Sequence, residues 1–200
     1  MKIIKKIIFL IIEMLNSTSI GRRLRELIFK KAFGNIIKIR HNETNLSFSA
    51  PNQWSLVRAE TFSSKEPETL NWIDSFEDNF TFWDIGANLG FYSIYAAKKN
   101  INTICFEGHF GNLNDFNYNV LLNNVSNKIL IIPTLLDTKN KKTNFYLRDL
   151  TSSSAKSEID HKKNIYRNGV EESLKISCVS LNLDYLIDQK IIPIPTKVKI

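Results

Sequence analysis

The stretch Asp84-Ile85-Gly86-Ala87-Asn88-Leu89-Gly90-Phe91-Tyr92-Ser93 constrains this chain more than any other. It follows a short apolar run, Phe80 to Trp83, and leads into a run over 91–99 that reads as a helix. A strand that turns tightly into a helix needs residues without side-chain bulk at the turn, and Gly86 and Gly90 supply them. Asp84 then stands at the strand's carboxyl end, facing the crevice where open α/β sheets take ligands. A second apolar run, Thr103 to Phe106, ends at Glu107. Leu113, Phe116, Val120 and Leu121 follow at helical spacing, closing near Asn123-Asn124. A third run covers 128–133, with Asp137 soon after. Strand, helix, strand, helix, strand predicts an α/β, Rossmann-like fold with a central, mostly parallel sheet and right-handed crossovers.

The acids at the strand ends select a ligand class. Glu107 lies 17 residues beyond Gly90, where a carboxylate can accept hydrogen bonds from ribose hydroxyls. Asp137 is expected at an adenine amino group. A dinucleotide fingerprint, G-x-G-x-x-G, needs glycine where Asn88 stands, and no G-x-x-x-x-G-K-[ST] phosphate loop exists. S-adenosylmethionine carries no phosphate. It needs a loop for its amino-acid end, an acid for its ribose and a polar partner for its adenine. Asp84, Gly86, Asn88 and Gly90, then Glu107, then Asp137 supply these in order, and they are the expected cofactor-binding residues. Two alternatives stand beside this reading: a non-catalytic S-adenosylmethionine-binding remnant, and a nicotinamide-dependent oxidoreductase of similar topology, which Asn88 disfavours.

Residues 58–200 resemble the FkbM-type methyltransferases. The family's Asp-Ile-Gly-Ala-Asn-x-Gly-x-Tyr-Ser/Thr element stands complete as Asp84 through Ser93, and its Phe-Glu-Pro element appears as Phe106-Glu107-Gly108. Asn119, Leu122-Asn123, Leu135-Leu136-Asp137, Ser152-Ser153 and Val179-Ser180-Leu181 with Asp184 match further segments. The resemblance implies a class I S-adenosylmethionine-dependent O-methyltransferase acting on a hydroxyl of a sugar, glycan or related small molecule. The family's Lys-Ile strand runs on into an Asp-Val-Glu-Gly turn, whereas the sequence here ends at Lys199-Ile200. The expectation is therefore a chain lacking the last strands of the sheet. A general base would help a hydroxyl attack a methyl group, and His109 and Glu66 are the candidates among the residues present.

Charge is divided unevenly. Residues 1–40 hold ten Lys/Arg against Glu13 and Glu26 and carry +8, while the remaining 160 residues come to −1, for a total of +7. A body without a basic surplus argues against a nucleic-acid partner. Ile4, Ile7, Ile8, Ile11 and Leu15 form one helical stripe, and Ile20, Leu24, Leu27 and Ile28 a second. The apolar run Ile7 to Ile12 is far short of the ~20 residues that a spanning helix needs, and no small-residue cleavage site follows it. Residues 1–34 are expected to be a basic amphipathic extension, either packed on the domain or lying peripherally on an anionic membrane. The cytoplasm is the expected compartment. Residues 35–200 form the Rossmann-like domain, entered by a β-hairpin over 35–50 with its turn at His41 to Thr44. Glu66-Pro67-Glu68 opens a helix with Leu70, Ile73 and Phe76 inward. Strands are expected at 143–147, 175–179 and 197–200, a helix at 181–188, and an exposed, specificity-bearing loop at 151–167. Cys105 and Cys178 fit no zinc spacing and read as buried apolar residues; no metal site is expected.

Overall fold

The computed structural model describes residues 2–33, 35–147, 150–153, 158–159, 166–167, 170–171 and 174–200. Two helices, α1 (Lys2–Ser17) and α2 (Ser19–Phe33), precede a hairpin of β1 (Ile36–His41) and β2 (Thr44–Ser49). The hairpin pairs Ile36 with Ser49 through to His41 with Thr44, so its turn is Asn42-Glu43, with Asn42 at positive φ. Three short helices follow: α3 (Gln53–Glu60), α4 (Phe62–Lys65) and α5 (Pro67–Asp74). Next come β3 (Thr81–Ile85), α6 (Phe91–Lys98), β4 (Asn102–Phe106), α7 (Phe110–Leu122) and β5 (Ile129–Ile132). The two-residue strand β6 (Leu135–Leu136), β7 (Lys141–Leu147) and three further two-residue strands, β8 (Glu158–Ile159), β9 (Tyr166–Arg167) and β10 (Val170–Glu171), lead to β11 (Leu174–Leu181), α8 (Leu183–Asp188) and β12 (Lys197–Lys199).

The central sheet has the order β12-β3-β4-β5, all parallel. Strand order reverses at β3, because β4 and β5 extend to one side while β12 joins on the other. Such a switch point opens a crevice at the carboxyl ends of its strands. Alternation along the strands fills both faces. Phe82 and Cys105 join a core under the hairpin and α6, while Trp83, Ile104 and Phe106 meet Leu186 and Ile192 on the face covered by α8. Helix α6 is apolar nearly all round, with Ile94, Tyr95 and Ala96 fully buried, because it lies between the sheet and the hairpin. Phe48 of the hairpin stacks on Phe91 with ring centroids 3.9 Å apart. Asp74 ties three elements together: Tyr95 Oη donates to it at 2.6 Å, Asn42 Nδ2 at 3.0 Å, and Lys99 Nζ lies 2.8 Å away.

Two asparagines one turn apart on α7 stitch the hairpin to the glycine turn. Asn119 Oδ1 accepts from Ser49 N at 2.7 Å and its Nδ2 donates to Leu89 O at 3.0 Å. Asn123 Oδ1 accepts from Ser47 N, and its Nδ2 donates to Ser47 O. Asn119 is fully buried, so Asn119→Ala leaves a buried N–H and a buried carbonyl without partners. At about 1–3 kcal/mol for each orphaned group, the expected loss is about 2–5 kcal/mol, read from the urea midpoint at an unchanged slope.

Two expectations need correction. The third strand does not lead straight to Asp137. Pro133 cannot donate to the ladder, and Thr134 N closes back on Ile132 O at 2.9 Å. The chain turns there and enters a second sheet of order β6-β11-β7-β8, in which β6 pairs parallel with β11 and β7 runs antiparallel to it. The strands at 143–147 and 175–179 thus pair with each other, and Phe145, Leu147 and Leu135 make a core of their own. Secondly, Ser152 and Ser153, assigned to an exposed loop, are buried. Asn52 Nδ2 donates to Ser152 Oγ at 3.0 Å, and Ser153 N donates to Asn112 Oδ1 at 2.8 Å. Most of the rest of that expected loop lies outside the described residues.

Candidate functional site

The glycine turn is folded onto the end of β4. Gly86 N and Ala87 N both donate to Phe106 O, at 2.9 and 3.1 Å. Asn88 N donates to Glu107 Oε2 at 2.7 Å, Leu89 N to Asn88 Oδ1 at 3.0 Å, and Gly90 N to Ala87 O at 2.8 Å. All five N–H groups are therefore satisfied within the protein. This shape requires positive φ at Gly86, Asn88 and Gly90, and asparagine is the non-glycine residue that best tolerates it. A Cβ on Gly90 would lie 1.9 Å from the ring of Phe116, whereas one on Gly86 would meet nothing within 4 Å. Gly90 is thus reserved for packing, and Gly86 faces open space.

Asp84 is 1% exposed. Ser93 Oγ donates to its Oδ2 at 2.5 Å, and the Ser93 backbone N–H donates to it as well, so it caps the first turn of α6. Its Oδ1 has no hydrogen-bond partner, with Lys199 Nζ 3.7 Å away. Burial raises the Asp84 pKa against the opposing pull of Lys199. Glu107 is also buried, and burial raises its pKa despite N–H groups of His109 and Asn88 and the side chain of Asn112. His109 N donates to Glu107 Oε1 at 2.7 Å, so each carboxylate oxygen holds one backbone N–H.

Two hollows lie near the turn, one against residues 86–89 and one at Gly108, the residue after Glu107; the Glu107 side chain itself lines neither. One lies against the glycine turn and is lined by Gly86, Ala87, Asn88 and Leu89 together with Arg58, Lys65, Glu66, Tyr92 and Lys199. The other, about 430 Å³, is mostly apolar: Gly108 and Phe110 of the β4–α7 turn, Ile132 to Leu135, and Cys178, Val179 and Leu181 of β11. Leu135 closes against the turn at Gly108, where a Cβ would fall 2.2 Å from Leu135 Cδ2 and push that side chain aside.

The structure brings Asp84, Gly86, Asn88, Gly90 and Glu107 together at the switch point. Asp137 is not brought there. It follows β6, pairs with Lys141 at 2.9 Å and accepts from Thr138 N, and these partners hold its carboxyl below the usual range. It lines neither hollow. His109 is buried as the cap of α7, its Nδ1 accepting from Asn112 N at 3.3 Å, which gives the ring a structural task. Glu66 does reach the hollow, in hydrogen-bonding contact with Tyr92, whose phenol is pushed up by burial and then by Glu66. Arg58 and Lys65 were missed because their helices, α3 and α4, were missed. The signal was Asn52-x-x-Ser55: Asn52 Oδ1 accepts from Ser55 N and Ser55 Oγ accepts from Asn52 N, a reciprocal cap ahead of Leu56, Ala59 and Phe62.

No known family's profile and no curated protein match this sequence. Solved structures match in part. The chain is similar to precorrin-6y C5,15-methyltransferase from Geobacter metallireducens at 21% identity, over 35% of this chain and 37% of that one, with a TM-score of 0.32. It is similar to the M. jannaschii tRNA m1G37 methyltransferase at 18% identity, over 52% of this chain and 32% of that one, with a TM-score of 0.38. It is also similar to the Pyrococcus abyssi tRNA (uracil-54, C5)-methyltransferase solved with S-adenosyl-L-homocysteine, at 16% identity over 48% and 24% of the two chains, with a TM-score of 0.32. The chain spans 24% to 37% of the length of these three solved chains.

Proposed function

We propose that this chain binds S-adenosylmethionine at the carboxyl edge of the parallel sheet and forms the cofactor-holding part of an O-methyltransferase. The carrying observation is the division of labour at the switch point. The turn spends its N–H groups internally, while the buried carboxylate of Glu107, next in the chain to the Gly108 that lines the apolar hollow, keeps acceptor capacity. A pyrophosphate needs free backbone N–H groups, and this turn offers none from 86 to 90. A carboxylate has about four acceptor positions; the N–H groups of Asn88 and His109 and the side chain of Asn112 take three, which leaves one for a ribose hydroxyl. The open side of Gly86, with Asp84 and its ion-pair partner Lys199 behind the turn, suits the amino-acid end of the ligand, and the hollow at Gly108, Phe110 and Leu135 suits its adenine.

When bound, the cofactor supplies an electrophilic methyl group for an acceptor oxygen. The protein's own contribution is placement, which can be worth about 7–11 kcal/mol of the barrier. Arg58, Lys65, Glu66 and Tyr92 make the acceptor side of the first hollow polar, which suits a hydroxyl-rich molecule, and Glu66 is the carboxylate placed to take an acceptor proton. The resemblance of residues 58–200 to FkbM-type methyltransferases supports the same choice of a sugar or glycan hydroxyl.

Calorimetric titration with S-adenosylhomocysteine and, separately, with NADH tests the reading. Saturable binding of the first and none of the second is expected; the reverse would overturn it. Affinity for S-adenosylhomocysteine should also fall on acidification, starting above the ordinary glutamic acid value of 4.5, because the proton competes for carboxylates whose pKa values burial has raised. The sign for the empty fold is opposite. A raised folded pKa means that the native state holds the proton more tightly, so stability declines as pH climbs from the unfolded value through the folded one. A third outcome concerns Cys178, which lines the apolar hollow while Cys105 is buried. Burial raises the Cys178 pKa, so iodoacetamide should label it slowly at neutral pH, and more slowly still with S-adenosylhomocysteine bound. Labelling indifferent to the ligand would place the adenine elsewhere.

A further inference from the structure

We infer that the α1–α2 hairpin docks the protein on an anionic lipid surface, apolar arc inward and cations at the headgroups. The hairpin is tightly made. Gly21 N donates to Thr18 Oγ1 at 2.9 Å, and a Cβ on Gly21 would stand 2.3 Å from Leu15 O, so only glycine permits this approach. Arg22 Nη1 donates to Asn16 O at 3.0 Å, and Arg25 Nη1 donates to Asn16 Oδ1, bracing the joint.

At 100° per residue, Ile4, Ile7, Ile8, Ile11, Ile12 and Met14 form an arc of about 160° on α1. The fold does not bury them: they are between 42% and 64% exposed. On α2, Ile20, Leu24, Leu27 and Ile28 are likewise exposed. Among the described residues, none from either helix belongs to a core cluster. A contiguous apolar surface of this extent marks a contact site.

Charge decides what makes the contact. Lys5 borders the arc of α1, next to Ile12, and Arg23 borders that of α2, next to Leu27. A protein partner burying the arc in a core would gain little from a border of cations. A bilayer containing acidic lipids offers both an apolar interior and a negative surface. The chain beyond the hairpin, residues 34–200, carries only +1 of the total +7, so the hairpin meets that surface first. No described helix is long and apolar enough to cross a membrane. Helix α1 is about 24 Å long against a hydrocarbon thickness of about 30 Å, so it lies in the interface. This inference is independent of the cofactor reading.

The test is co-sedimentation of the full chain with vesicles of phosphatidylcholine, alone or mixed with phosphatidylglycerol. Binding to the mixed vesicles, weaker binding to phosphatidylcholine and release by salt are expected. Lys5→Glu with Arg23→Glu should lower binding by at least about fivefold per reversed cation, and Ile8→Glu with Ile11→Glu should abolish it. Because these side chains are outside the core, thermal unfolding of the variants should match the parent and exclude misfolding as the cause. Equal binding to both vesicle types, no binding to either, or reversal charges that change nothing would overturn the inference. So would concentration-dependent self-association that Ile8→Glu removes in the absence of lipid, since a second copy would then be the occupant.

Discussion

Replacing Glu107 with alanine is expected to weaken S-adenosylhomocysteine binding by about a hundredfold while the protein stays folded. One charge-assisted hydrogen bond to a ribose hydroxyl contributes about 1.5–3 kcal/mol, and 1.4 kcal/mol is a factor of ten in affinity. The substitution also removes the acceptor that holds Asn88 N at 2.7 Å, so the turn loses part of its preorganisation. The fold loses less than the ligand does, because burying a carboxylate with a raised pKa is itself costly and that cost disappears with the side chain. Calorimetry and a thermal unfolding curve on the same preparation separate the two effects. Parent-like affinity in Glu107→Ala would remove the basis of the proposed ribose contact. The companion variant is Asp137→Ala, for which unchanged affinity is expected: its carboxylate is engaged by Lys141 and Thr138 and lines neither hollow.

Gly90→Ala should be the most damaging small substitution in the turn, at about 2–5 kcal/mol. A side chain at φ 75° costs about 1–2 kcal/mol by itself. The new Cβ would also lie 1.9 Å from Phe116 Cε2, and Phe116 is fully buried with no room to retreat. Overpacking of this kind adds about 1–3 kcal/mol. Gly86→Ala shares the backbone cost but meets no atom within 4 Å. It should lose only about 1–2 kcal/mol of stability, and its larger effect should be on ligand binding, since the methyl group enters the hollow. Urea unfolding of the two variants checks the contrast. A double-mutant cycle of Gly90→Ala with Phe116→Ala gives the mechanism: the pair should be less destabilised than the sum of the singles, because removing the ring relieves the clash. Strict additivity would mean that the backbone, not the ring, sets the cost.

The residues legible in the sequence are those whose role is local. Asp84, Gly86, Asn88 and Gly90 lie within one strand-to-helix turn, and Glu107 ends the next strand, so short-range spacing suffices to place them at one edge. The same holds for the hairpin, whose alternating strands flank a polar turn. Asp137 fails the test because its place depends on a change of direction at Pro133 and on pairing with β11, which lies some forty residues further along. Arg58 and Lys65 were hidden for a related reason. Their helices are short, weakly patterned and outside the β-α-β rhythm, and only docking over the switch point gives them a site. His109 looked like a candidate base from its neighbour Glu107, yet capping of α7 is what its ring does.

By itself, the sequence determined the α/β class, the parallel strands, the acid-and-glycine cluster and the basic, apolar character of the first helices. These follow from periodicity, backbone conformational limits and charge, all of which act over a few residues. Tertiary structure alone decided that the turn's N–H groups would be spent within the protein and that β6, β7 and β11 would form a second sheet walling an apolar hollow. It also decided that Asn119 and Asn123 would join the hairpin to the turn, and that α1 and α2 would leave their apolar arc uncovered. Each of these is set by which distant surfaces meet, and burial rewards that meeting only once the whole chain has folded.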